Sequence, residues 1–406
     1  MNSIVKQISA FVLLVLLLAS CKEDFQDEVI NENEIVAAGQ TLKLTMSNGT
    51  NGAFSDDEIY YAVIGLTPGG SFGYVNPQGQ MIAMSTADNE APNKLTKNGE
   101  NYSNFFMKLS DVPVLNVPQM QSGRIFIGLG SPLYIKSFDD GFAGPNFANA
   151  SDPNIDVFIE YAEFTFSEGG FWGNTTQVDQ FGFPMTMQLV NESGMTQTVG
   201  MTDSRSDIIE AFKCSVPQEF VQLAEKQSPY RVLAPIQGGF NDGEEHANYF
   251  DSYIDKMWDK YKSEDLVIVR DGVTWRGRVI NNVLTYTNES GESYTVKKPT
   301  SPEVFRCDGV FNDRTGFSGD LGIQLQLQAY TGAAFQRQIM GNGPNWPNPE
   351  TWYADRSEKA NFYAQFWHFF GIQGFAYGFP YDDVWEQSTL VHDTNPRDLN
   401  INITWD

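Results

Sequence analysis

The chain has 406 residues, room for two domains, with 51 acidic residues against 26 lysines and arginines and a net charge of −25 at pH 7. So acidic a surface repels phosphate backbones and anionic headgroups, which excludes nucleic acid as a partner. Aromatic residues make up 14% of the sequence and charged residues only 19%; most of the 30 Phe are core residues, yet many rings with few cations also suit neutral polyhydroxylated ligands stacked on aromatic faces.

Residues 1–20 carry one charge, Lys6, ahead of the apolar run FVLLVLLLA from Phe11 to Ala19, and Leu18-Ala19-Ser20-Cys21 closes the segment. The run is too short to persist as a spanning helix and a cysteine follows at once, the pattern of a bacterial lipoprotein signal cleaved before an acylated Cys21. Residues 1–20 are therefore expected to be a signal peptide. Residues 21–37, with KEDFQDEVINENE, form an acidic tether too poor in apolar side chains to fold. Lys22-Glu23-Asp24 resembles the surface-export signal of bacterial lipoproteins, so the expected location is the outer membrane, at the cell surface, with the membrane held through Cys21.

From 38 to 200 the runs TLKLTMSN, IYYAVIGL, GRIFIGLG, IDVFIEYAEFTF and FPMTMQLV alternate between Gly, Asn and Pro clusters, which predicts an all-β domain. From 201 to 370 the period turns helical in SDIIEAFKCS, in PQEFVQLAEKQ with Pro217 suited to a first turn, and in HANYFDSYIDKMWDKYK. Four alternating runs follow, DLVIVRD, TWRGRVIN, NVLTYTN and ESYTVKKP, and then FRCDGVF and the helical LGIQLQLQAYTG and KANFYAQFWHFFG. This stretch reads as a mixed α/β insertion. Residues 371–406, with GFAYGFPYDDV and LNINITW, read as strands returning to the first domain. The fold class is mainly β, a barrel or sandwich closed by C-terminal strands, with an α+β insertion. Asp251, Asp255 and Asp259 recur every four residues as the solvated stripe of a helix rather than as a cation site. His246, His368 and His392 are scattered and no cysteines are paired in sequence, so neither a metal nor a cofactor is expected. Whether Cys214 and Cys307 pair is left open.

YAEFTFSEGGFWGNTTQVDQFGFP, residues 161–184, reads as a hairpin with a carboxylate on each arm. Glu163 and Asp179 are both odd-numbered about a midpoint at Phe171, so a symmetric hairpin would pair them on one face. Opposed like charges destabilise a sheet, and neither arm carries a Lys or Arg. Two carboxylates at one cleft are what glycosidic hydrolysis requires, one as acid and one as base or nucleophile. On spacing alone, two of many acids on a solvated face is the simpler account.

EFTF, followed sixteen residues after its Glu by Asp179 in VDQFGFPMTM, resembles the catalytic hairpin of glycoside hydrolase family 64, the laminaripentaose-producing β-1,3-glucanases. FAYGFPYDDV and LNINITW look like the closing strands of that family's thaumatin-like barrel, and the order barrel, insertion, barrel matches over residues 38–406. The resemblance implies a wide groove between barrel and insertion and a β-1,3-glucan substrate of the laminarin or curdlan kind, in single or triple-helical form. It implies inverting, endo-type cleavage to short laminari-oligosaccharides by a monomer. Glu163 takes the position of the general acid, Asp179 that of the general base, and Thr165, Trp172 and Thr176 fall at glucan contacts. Ser167 stands where the family's Asn is expected, and the scarcity of cysteines departs from plant thaumatin-like proteins. Glu160 and Glu168 are near enough in sequence to assist, while Asp382 and Asp383 read as turn-stabilising acids. The alternatives are a surface glycan-binding lipoprotein without catalysis and a thaumatin-like domain that attaches to wall glucan; retention of both acids favours the hydrolase.

Overall fold

The computed structural model of the protein describes residues 40–406, so the signal, Cys21 and the tether lie outside the described residues. The first strands are β1 (Leu42–Gly49), β2 (Ile59–Leu66), β3 (Phe72–Val75), β4 (Met81–Ala83), β5 (Val114–Val117) and β6 (Met120–Leu129). Next come β7 (Phe158–Ser167), β8 (Gly170–Thr175), β9 (Met185–Asn191) and β10 (Thr196–Gly200). The insertion contributes helices α1 (Arg205–Ser215) and α2 (Asp251–Lys260), then strands β11 (Leu266–Arg270), β12 (Val273–Ile280), β13 (Val283–Asn288) and β14 (Ser293–Lys297). Helices α3 (Ser301–Arg306), α4 (Leu321–Gln336) and α5 (Phe362–Phe370) follow, and the chain ends with β15 (Val391–Asp393) and β16 (Pro396–Thr404).

Two sheets carry the β part. One runs β10-β9-β16-β1-β5, with β16 parallel to β1 and antiparallel to β9. The other runs β15-β8-β7-β6-β2-β3-β4, with Met107–Lys108 beside β2. Strand alternation sorts their residues. Leu42, Leu44, Leu399, Ile401, Met187 and Leu189 of the first sheet meet Tyr61, Val63, Ile125, Ile127, Phe164 and Phe171 of the second in one core. The sheets stack as a sandwich and do not close into a barrel. The opposite parity of the second sheet, Ala62, Ile64, Phe126, Ile159 and Tyr161, belongs to another core shared with the insertion. A sheet covered on both faces leaves room for polar side chains only where the second cover draws back.

The insertion follows its periodicity. Ser204 caps α1 by accepting from Asp207 N–H, and Asp320 and Asn361 cap α4 and α5 in the same way. On α2, Tyr253, Ile254, Met257 and Trp258 are buried while Asp251, Asp255 and Asp259 face solvent. The four alternating runs form one antiparallel sheet, β11-β12-β13-β14. Cys214 is exposed, Cys307 is buried, and both are free thiols.

GFAYGFPYDDV, expected as a strand, is an irregular loop. Its backbone is organised by a buried charge instead of a ladder. The fully buried Asp382 accepts from Gly378 N–H at 2.8 Å and from Arg337 Nη2 at 2.8 Å, and it lies 3.0 Å from His368 Nε2. Arg337, equally buried, also donates to the carbonyls of Asp382 and Val384 and lies over the ring of Trp352 at 3.8 Å. Burial alone would push the Asp382 carboxyl up, but His368 and Arg337 outweigh it and hold it below the usual carboxylate range. Asp382→Asn leaves the Arg337 guanidinium buried without its counter-charge, so the variant should lose about 3–5 kcal/mol of stability in urea unfolding. A loss below about 1 kcal/mol would mean that this pair does not anchor the loop.

Candidate active site

The site is laid out by the register of β7. Phe164 points into the sandwich core, and glycines face it on both neighbouring strands, Gly123 on β6 and Gly173 on β8. A Cβ on Gly123 would come within 2.7 Å of the Phe164 ring, and one on Gly173 within 2.6 Å of the Phe171 ring that stacks on Phe164. The two rings fill the space left by the glycines and fix the pairing. The odd-numbered residues Tyr161, Glu163 and Thr165 then face the insertion side, and Glu163 lies between Arg124 of β6 and Asn174 of β8.

The hairpin differs from the symmetric one expected. Its turn is Glu168-Gly169, Ser167 pairs with Gly170, and Phe171 is a strand residue rather than the midpoint. Gly170, at φ +125°, lets the chain turn this tightly. Glu163 and Asp179 are therefore not cross-strand partners: Asp179 lies four residues beyond the end of β8, in the segment leading to Gln180–Phe181. Nor is Glu163 without a cation. Arg124 Nε donates to its Oε1 at 3.0 Å, and Nη2 of the same guanidinium lies 2.9 Å from that oxygen, from a strand outside the hairpin.

Asp179 is held from two sides. Tyr161 Oη–H donates to its Oδ2 at 2.5 Å, and its carbonyl accepts from Ala234 N–H at 3.0 Å. Gln180–Phe181 then pairs with Val232–Leu233 of the insertion. Just before it, the Gln177 carbonyl accepts from Tyr363 Oη–H of α5 at 2.6 Å, and Gln177 N–H donates to the Tyr377 carbonyl. Arg124 lies over the Tyr161 ring at 5.4 Å, so one cation and one phenol stand between the two acids. Burial, then Asp179 and Glu163, drive the Tyr161 phenol far above its ordinary value, so it remains a donor. Burial works against the Arg124 charge, but Glu163, Tyr161 and Asp179 more than offset it and hold the guanidinium firmly protonated.

Among the other candidates, Thr165 is partly exposed and pairs with Trp172, whose indole stacks on His392 of β15 at 4.5 Å and 15°. His392 Nδ1 lies 2.9 Å from the Phe171 carbonyl, which requires the proton on Nδ1 and fixes the ring beneath the indole. Thr176 is buried, and its Oγ1 accepts from Val178 N–H at 3.2 Å, so it shapes the loop that carries Asp179. Ser167 Oγ accepts from Gly169 N–H inside the turn. Glu168 is exposed at the turn, and Glu160, of opposite parity to Glu163, is buried with its Oε1 accepting from Gly182 N–H. Neither joins the acid pair. Arg124, Tyr161 and His392 are the site residues that sequence reasoning missed. The signal for Arg124 was its place as the charged residue in the otherwise apolar alternation of GRIFIGLG.

The family model for β-1,3-glucanases, glycoside hydrolase family 64, matches residues 40–403. The chain belongs to glycoside hydrolase family 64. Among solved family 64 structures, a β-1,3-glucanase domain from Clostridium beijerinckii is 36% identical, with a TM-score of 0.83 over 90% of this chain and 98% of that one. A laminaripentaose-producing β-1,3-glucanase from Paenibacillus barengoltzii is 34% identical, with a TM-score of 0.73 over 90% of this chain and 75% of its own, and has also been solved with laminarihexaose. The glucan endo-1,3-β-glucosidase of Arthrobacter sp. (strain YCWD3) is 29% identical over 296 residues, 70% of this chain. That alignment covers 52% of the relative, so this family 64 chain spans about half the length of the curated proteins it matches.

Glu160, outside the acid pair, gives the fold a measurable pH signature. Burial raises its carboxyl to about 8 from an ordinary 4.5, against the opposing pull of the Gly182, Tyr161 and Phe183 N–H groups and of Arg231. The fold therefore binds this proton more tightly than the unfolded chain does. Its contribution to stability is full below pH 4.5 and is lost as pH rises through 8. The melting temperature of Glu160→Gln should fall less steeply than that of the wild type between those values, and parallel curves would show that Glu160 does not bind its proton this way.

Proposed function

We propose that the chain hydrolyses internal bonds of β-1,3-glucan with inversion, Glu163 acting as general acid and Asp179 as general base. The observation that carries this reading is that two carboxylates from separate segments converge on one Tyr161–Arg124 pair, at the seam between sandwich and insertion. An inverting site must admit a water between base and sugar, which takes carboxyls roughly 6.5–9.5 Å apart. Directly opposed strand residues start with Cβ atoms about 4.5–5.5 Å apart, so an Asp179 displaced beyond the end of β8 suits inversion better than a cross-strand pair would. Asp179 draws the proton from the attacking water while Glu163 protonates the departing glycosidic oxygen. Thr165 and the Trp172 indole, on the same face as Glu163, offer a hydroxyl and a stacking surface to the sugars. Support for the substrate comes from the relatives, which are glucan endo-1,3-β-glucosidases and structures holding laminarihexaose or laminaritetraose.

Glu163→Gln and Asp179→Asn should each fold, bind linear β-1,3-glucan and lose at least about 10²-fold in hydrolysis, the lower end of what a positioned acid or base contributes. NMR of the first product from the wild type should show the α anomer. A β anomer would overturn inversion, and full activity in either variant would remove these residues from the chemistry.

We further propose that the protein is an outer-membrane lipoprotein anchored through Cys21, on the strength of the apolar run and the cysteine that closes it. Cys21→Ser should leave the membrane fraction after a high-salt wash; continued sedimentation with membranes would count against the anchor.

A further inference from the structure

We propose that Tyr161 and Arg124 are positioning residues that set the two limbs of the pH–rate profile separately, Tyr161 through Asp179 and Arg124 through Glu163. The inference rests on the acid–base reading above and divides its control between two groups that touch no sugar in that mechanism.

Tyr161 has one proton to give, and it gives it to Asp179 Oδ2. A donor on an ionised carboxylate favours the ionised form and fixes which oxygen is left to meet water. Oδ2 is occupied, so Oδ1 is the oxygen that receives the proton. Arg124 acts on the other acid with the same one-sidedness. Its Nε donates to Glu163 Oε1 and its Nη2 lies nearest the same oxygen, while Oε2 has no protein donor among the described residues. A guanidinium on Oε1 directs the acid's proton to Oε2, because the oxygen that accepts from the cation is the one that stays a carbonyl. Each acid is thus presented with one oxygen anchored and one free.

The charged and titratable groups around the pair are few. Glu163 is faced by Arg124 from β6, by Tyr161 on its own strand and by Tyr377 from the 375–385 loop. Asp179 is faced by Tyr161, by Arg124 at longer range and by Tyr363 of α5. The tyrosines are buried phenols that stay neutral, so Arg124 is the cation these contacts supply to both acids.

The signs follow. Without the Tyr161 hydroxyl the ionised Asp179 loses a donor, so the base takes up its proton at higher pH and the acid limb of kcat/KM moves up. Without the Arg124 charge Glu163 keeps its proton to higher pH, so the basic limb moves up. The wild type should accordingly lose activity at a lower pH than an uncharged neighbour at position 124 would allow.

The test is the kcat/KM–pH profile of the mature protein on soluble linear β-1,3-glucan, with variants whose melting curves match the wild type. Tyr161→Phe should raise the acid limb by about half to one unit and leave the basic limb in place. Arg124→Met should raise the basic limb by about one unit and the acid limb by less, since Arg124 acts on Asp179 only at a distance. Arg124→Lys, which keeps the charge and loses the planar guanidinium, should return the basic limb to within about 0.3 unit of the wild type while kcat stays several-fold low. Uniform loss of rate with neither limb displaced, or equal displacement of both limbs by each variant, overturns the inference and leaves the acid–base reading intact. If instead Glu163→Gln and Asp179→Asn are active, the acid–base reading itself fails.

Discussion

Phe164 between Gly123 and Gly173 is the packing constraint on which the site depends. A slip of one residue along β7 would turn Glu163 into the sandwich core and Phe164 out toward the insertion, so the ring's place between two glycines also decides where the carboxylate points. The same lock puts Arg124 directly opposite Glu163 on one side and Asn174 on the other. Core packing on one face of the sheet thus sets the electrostatics of the opposite face.

The two acids draw their rigidity from different parts of the molecule. Glu163 rides on a central strand with paired neighbours on both sides, whereas Asp179 sits on a segment tied to the insertion through Ala234 and Tyr363 and to the C-terminal segment through Tyr377. Tyr377 belongs to the loop that Asp382 organises around Arg337 and His368. A chain of contacts therefore runs from a fully buried ion pair between the insertion and the C-terminal segment to the carboxylate at the seam. The relative position of the two acids is a property of how the insertion docks on the sandwich, which a hairpin alone would not provide.

Much of the architecture was legible in the sequence, because alternation and helical period are local signals: the strands around YAEFTF, the four runs of the insertion sheet and the helices α1, α4 and α5 stand where their patterns put them. What failed was whatever a distant partner decides. The turn moved from Phe171 to Glu168-Gly169 because Gly170 permits positive φ. Arg124 is 39 residues from Glu163 in sequence, and only strand pairing brings them together. GFAYGFPYDDV has the ring content of a strand, but Pro380, which lacks an N–H, and a carboxylate that claims Gly378 N–H make it a loop.

The arrangement also shows why two acids can share one seam in so acidic a chain. With both ionised, Arg124 leaves the trio of Arg124, Glu163 and Asp179 one negative charge in excess. One proton cancels that excess, and Tyr161, a neutral donor, adds no further cation that would favour leaving both carboxylates bare. With one proton held between the two acids the trio is electrically neutral, and a neutral cluster costs less to enclose at a seam than one with a net charge. A second arginine in place of Tyr161 would make the doubly ionised pair the neutral one, and the acid–base pair proposed above would lose that reason to hold a proton.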